Sequence, residues 1–221
     1  MIENVLHPRI IENKDWATAL FILSFVLIAM TKSIFENRFN EFSRLIISDK
    51  YLKVYKDPSQ MMSWFTVFLF IVQLISFSFF IHLTLYQFGY VLKTDWLVYT
   101  QIFTFLTVYI LSKYLIEKII ATSFDIEEFA EQFNLQKVSY RTYIGVFLLP
   151  INCFLFYYDA FPRVFLLVFI SIVLIINLFT YLVTLKNYQN ILLGNLFYFI
   201  LYLCALEIAP YYFMYYWFTK N

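Results

Sequence analysis

The chain gathers its apolar residues into blocks of about 20, the length a helix needs to cross the ~30 Å hydrocarbon core of a bilayer. Six blocks stand out: Trp16 to Phe35, Met61 to Ile81, Asp95 to Lys118, Arg141 to Tyr158, Pro162 to Leu185 and Leu196 to Phe218. Inside such a block the backbone finds no water to bond, so each segment must satisfy its own amides by forming a helix. Composition agrees, since 62% of the residues are hydrophobic and only 14% are charged, well below the charged share of a soluble domain. With 3 Gly and 5 Pro, the chain also lacks the composition of a disordered one. The expected fold is all-α: a polytopic membrane helical bundle of about six transmembrane helices, forming a single integral membrane domain over residues 1–221.

Two blocks call for comment. The fourth is short and contains Pro150, so it is expected either to cross with a kink or to re-enter. The first is not followed by a small-residue cleavage site before Lys32, and it reads as a retained helix instead of a removed signal peptide.

Loop charges set the orientation. With both termini periplasmic, the inner segments carry Lys32, Arg38, Arg44, Lys50, Lys53, Lys56, Lys113, Lys118, Lys137, Arg141 and Lys186, which is most of the 16 Lys and Arg residues. The outer segments carry Arg9, Lys14, Lys93, Arg163 and Lys220. Two short amphipathic helices are expected on the cytoplasmic side. In the first loop, Phe39, Phe42, Leu45 and Ile46 recur at helical spacing among Arg38, Glu41, Arg44 and Asp49. That helix either folds beneath the bundle or lies at the interface to bind headgroups or a partner. In the second, Asp125-Ile-Glu-Glu128 resembles a capped helix start with Phe129 and Phe133 on one face, an elbow into the fourth span.

Polar residues inside the apolar blocks carry the candidate chemistry. Glu207 and Pro210 share the last block, and a carboxylate at membrane depth needs a proton, a partner or a solvated cavity. Counted from the inner helix ends, Glu207, Asn177, Asn152 and Gln73 fall roughly 12 to 18 Å deep, so the four are expected to face one another as an intramembrane polar layer. Pro210 frees the carbonyl of Leu206 beside the acid. Arg141, Lys113 and Lys186 lie near inner helix ends, where they either snorkel to headgroups or line an inner vestibule. Glu117 is placed to pair with Lys113 or Lys118 on its own helix. Tyr211, Tyr212, Tyr215, Tyr216 and Trp217 form an aromatic collar at the outer boundary.

No glycine-rich phosphate loop, paired-aspartate metal site, zinc spacing or serine elbow is present in the sequence. His7 and His82 are too isolated to suggest metal or haem, and His82 reads as an interfacial hydrogen-bonding residue. Cys153 and Cys204 lie in apolar blocks and read as buried free thiols. No cofactor and no nucleic-acid partner are expected, because the net charge of +1 leaves no large basic face.

The ending Phe197-Tyr-Phe-Ile-Leu-Tyr-Leu-Cys-Ala-Leu-Glu207-Ile-Ala-Pro210 resembles the signature of a family of multi-spanning inner-membrane proteins from Bacteroidota, grouped as a domain of unknown function. The Arg141…Leu149-Pro150 segment and Asn177, Lys186 and Asn187 are compatible with that pattern. The resemblance covers nearly the whole chain and implies an inner-membrane location, with no activity or cofactor attached to it. Three functions are consistent with the sequence. The first is a non-enzymatic accessory or scaffold subunit of an envelope complex, with membrane lipids and other inner-membrane proteins as partners. The second is a small proton-coupled transporter or channel built on the polar layer. The third is a lipid-modifying enzyme with an inward-facing Arg/Lys vestibule.

Overall fold

The computed structural model describes residues 14–45, 50–55, 63–123, 127–158, 167–172, 174–176 and 216, and no strand occurs among them. Among them the numbered helices are α1 (Asp15–Ile34), α2 (Glu36–Ser43), α3 (Lys50–Val54), α4 (Trp64–Gln87), α5 (Trp96–Ser123) and α6 (Glu127–Tyr157). Among the described residues, three helical stretches are long and apolar enough to cross a membrane: Asp15–Ile34, Trp64–Gln87 and Ala130–Tyr157. Of the expected span Pro162 to Leu185 only 167–172 and 174–176 are described, and they are helical; of Leu196 to Phe218 only residue 216 is described.

The observed helices depart from the expected blocks in instructive ways. α4 runs six residues past Ile81, because Leu83, Leu85 and Tyr86 continue the apolar surface as far as a glycine stop. α5 occupies the third block and has 28 residues, yet Gln101 and several threonines dilute its apolar run. The elbow helix expected after Asp125 is not a separate element. It is the first part of α6, 31 residues without a break, in which Pro150 is accommodated inside the helix. Proline there leaves the carbonyl of Val146 without its helical donor.

α4 is the centre of the assembly, in contact with α1, α5 and, most extensively, α6. Ring contacts fix the helix directions. Trp16 and Phe21 of α1 meet His82 and Phe79 near the end of α4, while Phe35 meets Phe65 at its start, so α1 and α4 are antiparallel. Tyr99, early in α5, also packs on Phe79 and His82, which makes α5 antiparallel to α4. α6 runs parallel to α4, since Thr142, Asn152 and Phe156 meet Gln73, Ser76 and Phe79 in that order.

The core divides into two aromatic clusters at opposite ends. One joins Phe21, Phe79, Tyr99 and Phe156 near the α4–α5 turn. The other joins Phe42, Leu45 and Tyr51 to Phe65 and Leu69 at the start of α4. Phe42 and Leu45 are almost completely buried, so the amphipathic α2 folds beneath the bundle, with its apolar side spent on α4 and α6. By contrast, α1 and α5 expose long apolar faces that include Ile22, Val26, Phe105, Val108 and Ile119, as expected of helices in lipid.

The α4–α5 turn shows how the chain stops a helix. Gly89 has φ +83°, its N–H donates to the carbonyl of Tyr86 (2.9 Å), and Tyr90 N–H donates to the carbonyl of Leu85 (3.0 Å). This pair of bonds is the Schellman closure, which satisfies the final carbonyls and needs a left-handed residue. Lys93 then anchors the turn by donating from Nζ to the carbonyl of Tyr158 at the end of α6 (3.3 Å). A side chain at Gly89 would meet nothing within 4 Å, so only backbone strain opposes it. Gly89→Ala is therefore expected to cost about 1 to 2 kcal/mol, read from reversible unfolding in mixed detergent.

Candidate functional site: a buried polar seam between two apolar helices

The α4–α6 interface carries polar side chains where an apolar seam would be ordinary. On α4, Leu69, Val72, Gln73, Ser76, Phe79 and Leu83 recur at spacings of three and four residues and lie buried on one stripe. Thr142, Leu149, Asn152 and Phe156 do the same on α6. Between them stands Gly145. A Cβ at that position would lie 3.0 Å from Gln73 Cα and 3.2 Å from its Cβ, so the two backbones approach as closely as a glycine permits. Helices in lipid associate through such close packing, because their apolar surfaces gain nothing from leaving the hydrocarbon.

Close approach brings the polar groups within bonding reach. Thr142 Oγ1 donates to Gln73 Oε1 at 2.7 Å, and Asn152 Nδ2 donates to the carbonyl of Ser76 at 2.7 Å and to its Oγ at 3.3 Å. Gln73, Ser76 and Asn152 have no exposed surface. Two members of the expected polar layer, Gln73 and Asn152, thus lie in one seam, each tied to a hydroxyl residue across the interface. Gln73 is about 14 Å along α4 from Trp64. Glu207 and Asn177, the other two, lie outside the described residues, as do Lys186 and Pro210.

Gln73 Nε2 and Asn152 Oδ1 are buried with no hydrogen-bond partner among the described residues. One is a donor and the other an acceptor. Leaving such groups unmade costs on the order of 1 to 3 kcal/mol each.

At the α2/α3 end the seam meets Arg38, which is 6% exposed. Its guanidinium donates to Ser63 Oγ at 2.8 Å and lies 4.5 Å from the Phe65 ring centre and 4.7 Å from that of Tyr55. Tyr51 OH and Thr66 Oγ1 stand at 3.4 Å. Burial pushes the Tyr51 phenol above its ordinary pKa, opposed by the neighbouring Arg38 charge and by hydrogen bonds from Arg38 and Ser139. A small cavity lined by Tyr51, Thr66, Ser139 and Thr142 joins this cluster to the seam.

The cationic residues expected near inner helix ends divide. Arg141 and Lys113 are half-buried on α6 and α5, in keeping with long stems covering apolar surface. Glu117 forms an ion pair across helices, to Lys137 of α6 at 3.3 Å. A second small cavity between these helices is lined by Tyr114, Lys118, Thr122, Glu127, Glu131 and Asn134. Among the described residues no three His, Cys, Asp or Glu side chains gather as metal ligands would. His82 is fully buried near the end of α4, and its Nε2 bonds the carbonyl of Lys93 at 3.2 Å. Cys153 is a half-buried free thiol, while Cys204 lies outside the described residues.

Sequence reasoning located Gln73 and Asn152 but not Thr142, Ser76 or Gly145, which make the seam. Two small residues three apart, Thr142 and Gly145, were the available signal on α6, and it is weak without a partner helix to read it against. Asn152→Leu, close in shape, is expected to lower stability by about 0.6 kcal/mol and by no more than ~1.7, the range found for interhelical hydrogen bonds in membranes. Reversible unfolding of the purified variant in mixed detergent measures it.

No curated protein and no solved structure matches the chain. A family model does match, over residues 17–218, and it takes in every helix described above except the first two residues of α1. The chain accordingly belongs to the DUF4271 family, a domain of unknown function.

Proposed function

We propose that the chain is a non-enzymatic accessory or scaffold subunit of a bacterial inner-membrane or envelope complex, serving secretion, assembly or energised transport. The observation that carries this reading is the use made of the buried polar groups. Thr142, Gln73, Asn152 and Ser76 hold α4 to α6 in a close-packed interface, and each contact is a helix–helix bond. Catalysis needs reactive groups converging on space for a substrate. The seam instead spends its polar groups on shape. α2 and α3 fold against the same interface and leave little mass outside the membrane for an enzyme domain.

In this reading the chain crosses the membrane six times with both termini periplasmic, as the loop Lys and Arg distribution favours. Two features of α5 support its place among the spans. Thr100, Thr104 and Thr107 each donate to the carbonyl four residues earlier, at 2.8, 2.9 and 2.7 Å, so their hydroxyls are satisfied without water. Leu97, Phe105, Val108 and Leu115 then face outward. The resemblance of the last block to Bacteroidota sequences suggests the inner membrane of a double-membraned bacterium. Tagging the protein at its native locus, with mild extraction and quantitative mass spectrometry, is expected to return a stoichiometric membrane partner. A chain that stays monomeric under crosslinking in cells, with no reproducible partner, overturns the proposal.

One observation favours a second reading, a small proton-coupled transporter. The free donor on Gln73 and the free acceptor on Asn152 sit at the depth inferred for Glu207. Carboxylates at that depth commonly carry protons. This reading expects pH-dependent flux in proteoliposomes that disappears in Glu207→Gln, and flux unchanged by that variant removes it.

A further inference from the structure

The cavity between the last turns of α5 and the first turns of α6 has a volume of about 20 Å³. It lies at the end of the bundle that carries α2 and α3, because α5 runs antiparallel to α4 and α6 parallel to it. Ala121 of α5 and Ala130 of α6 both line it, and their short side chains leave the space. Its charged lining is Lys118 from α5 with Glu127 and Glu131 from α6, one turn apart on a single face. Exposure falls along α6 from Glu127, which is exposed, through half-buried Glu131 to Asn134, which is 6% exposed. The cavity therefore opens beside Glu127 and Lys118 and closes on the Asn134 carboxamide. Among the described residues, Asn134, Lys118, Glu127 and Glu131 take part in no hydrogen bond or ion pair. The neighbouring Glu117 and Lys137 are paired with each other and stand outside the lining.

The lining selects the charge and shape of what it holds. Two carboxylates disfavour an anion. A calcium ion takes six to eight oxygen ligands, and among the described residues no three acidic or imidazole side chains gather. The Lys118 charge at the mouth also opposes a bare cation. A primary ammonium has three N–H donors, which match one acceptor each on Glu127, Glu131 and Asn134 Oδ1. It is about the size of a water molecule, and a space of roughly 10 to 15 Å³ holds one such group. Leu111, Leu115, Ile116 and Ile119 of α5 are exposed beside the cavity, an apolar face suited to acyl chains. An ammonium carried on a lipid brings its phosphate to the mouth, where Lys118 stands.

We propose that this cavity binds the headgroup of an amine-bearing phospholipid of the phosphatidylethanolamine kind. The ammonium donates to Glu127, Glu131 and Asn134, the phosphate meets Lys118, and the chains lie along the apolar face of α5. The site rests on the reading of α5 as a membrane span and is independent of the accessory-subunit role.

Native mass spectrometry of the full chain in mild detergent tests it, with phosphatidylethanolamine, phosphatidylcholine and phosphatidylglycerol of identical acyl chains. The first is expected to bind about tenfold more tightly than the other two, since a quaternary ammonium has no N–H and phosphatidylglycerol has no cation. Glu131→Gln and Asn134→Leu should each bring the three lipids within about threefold of one another. Equal binding of phosphatidylethanolamine and phosphatidylcholine by the unmodified protein overturns the proposal without recourse to any variant. Phosphatidylglycerol bound as tightly as phosphatidylethanolamine overturns it as well, and so does a preference that survives both substitutions. Soluble phosphoethanolamine bound as tightly as the lipid overturns the lipid assignment in favour of a free ligand. Carbonate extraction of cell membranes separates the two levels of failure. A chain released by carbonate removes the membrane reading itself, whereas an embedded chain without the lipid preference overturns this site alone.

Discussion

The close approach of α4 and α6 at Gly145 is the constraint on which the rest of the bundle depends. Only a residue without Cβ lets Gln73 lie against α6 at about van der Waals distance. That separation brings Thr142 onto Gln73 and Asn152 onto Ser76, bonds that a wider spacing would break. In water, two apolar helices are pressed together by the solvent. In lipid they are not, so geometry and a few interior hydrogen bonds must supply the preference for one arrangement. Gly145 and its polar neighbours do so for the central pair, and α1 and α5 are then laid against α4 by aromatic packing.

Polarity along the bundle is graded by purpose. In the seam it locks two helices in register. At the α2/α3 end it holds a buried arginine among hydroxyls and ring faces, where Tyr51, Tyr55 and Phe65 present π surfaces to the guanidinium. At the opposite end Lys93 is likewise nearly buried, beside the rings of Tyr86 and Phe156 and bonded to the last turn of α6. Both cations reach the limits of the apolar core through long stems, which is where a membrane protein tolerates charge.

Much of this was legible in the residues. The apolar blocks gave the helices of the described part, and the amphipathic spacing of Phe39, Phe42 and Leu45 gave a short helix beside the bundle. Gln73 and Asn152 were singled out as polar residues inside apolar blocks, and both lie in the seam. Three things were not legible. The fusion of the elbow with the fourth block into a single α6 was hidden because the polar residues from Gln132 to Arg141 interrupt the apolar pattern, although the helix runs on through them. The pairing of Glu117 with Lys137 was hidden because spacing along one helix shows only same-helix partners. The cavity lined by Lys118, Glu131 and Asn134 was hidden because its members stand on two helices, and each alone reads as an ordinary polar residue at or beyond the end of an apolar block.

By itself the sequence determined that the described residues would form helices, three of them long and apolar enough to cross a membrane. Hydrocarbon forces every crossing segment to satisfy its own backbone, and that demand is met locally, within one run of residues. It also determined that a few polar side chains would be drawn to the interior. Which of them meet was decided only by the tertiary structure, through the parallel packing of α6 on α4 and the antiparallel packing of α1 and α5 around them. Those contacts depend on helix rotation and on the gap left by one missing Cβ at Gly145, quantities that belong to pairs of helices and have no expression in any single stretch of chain.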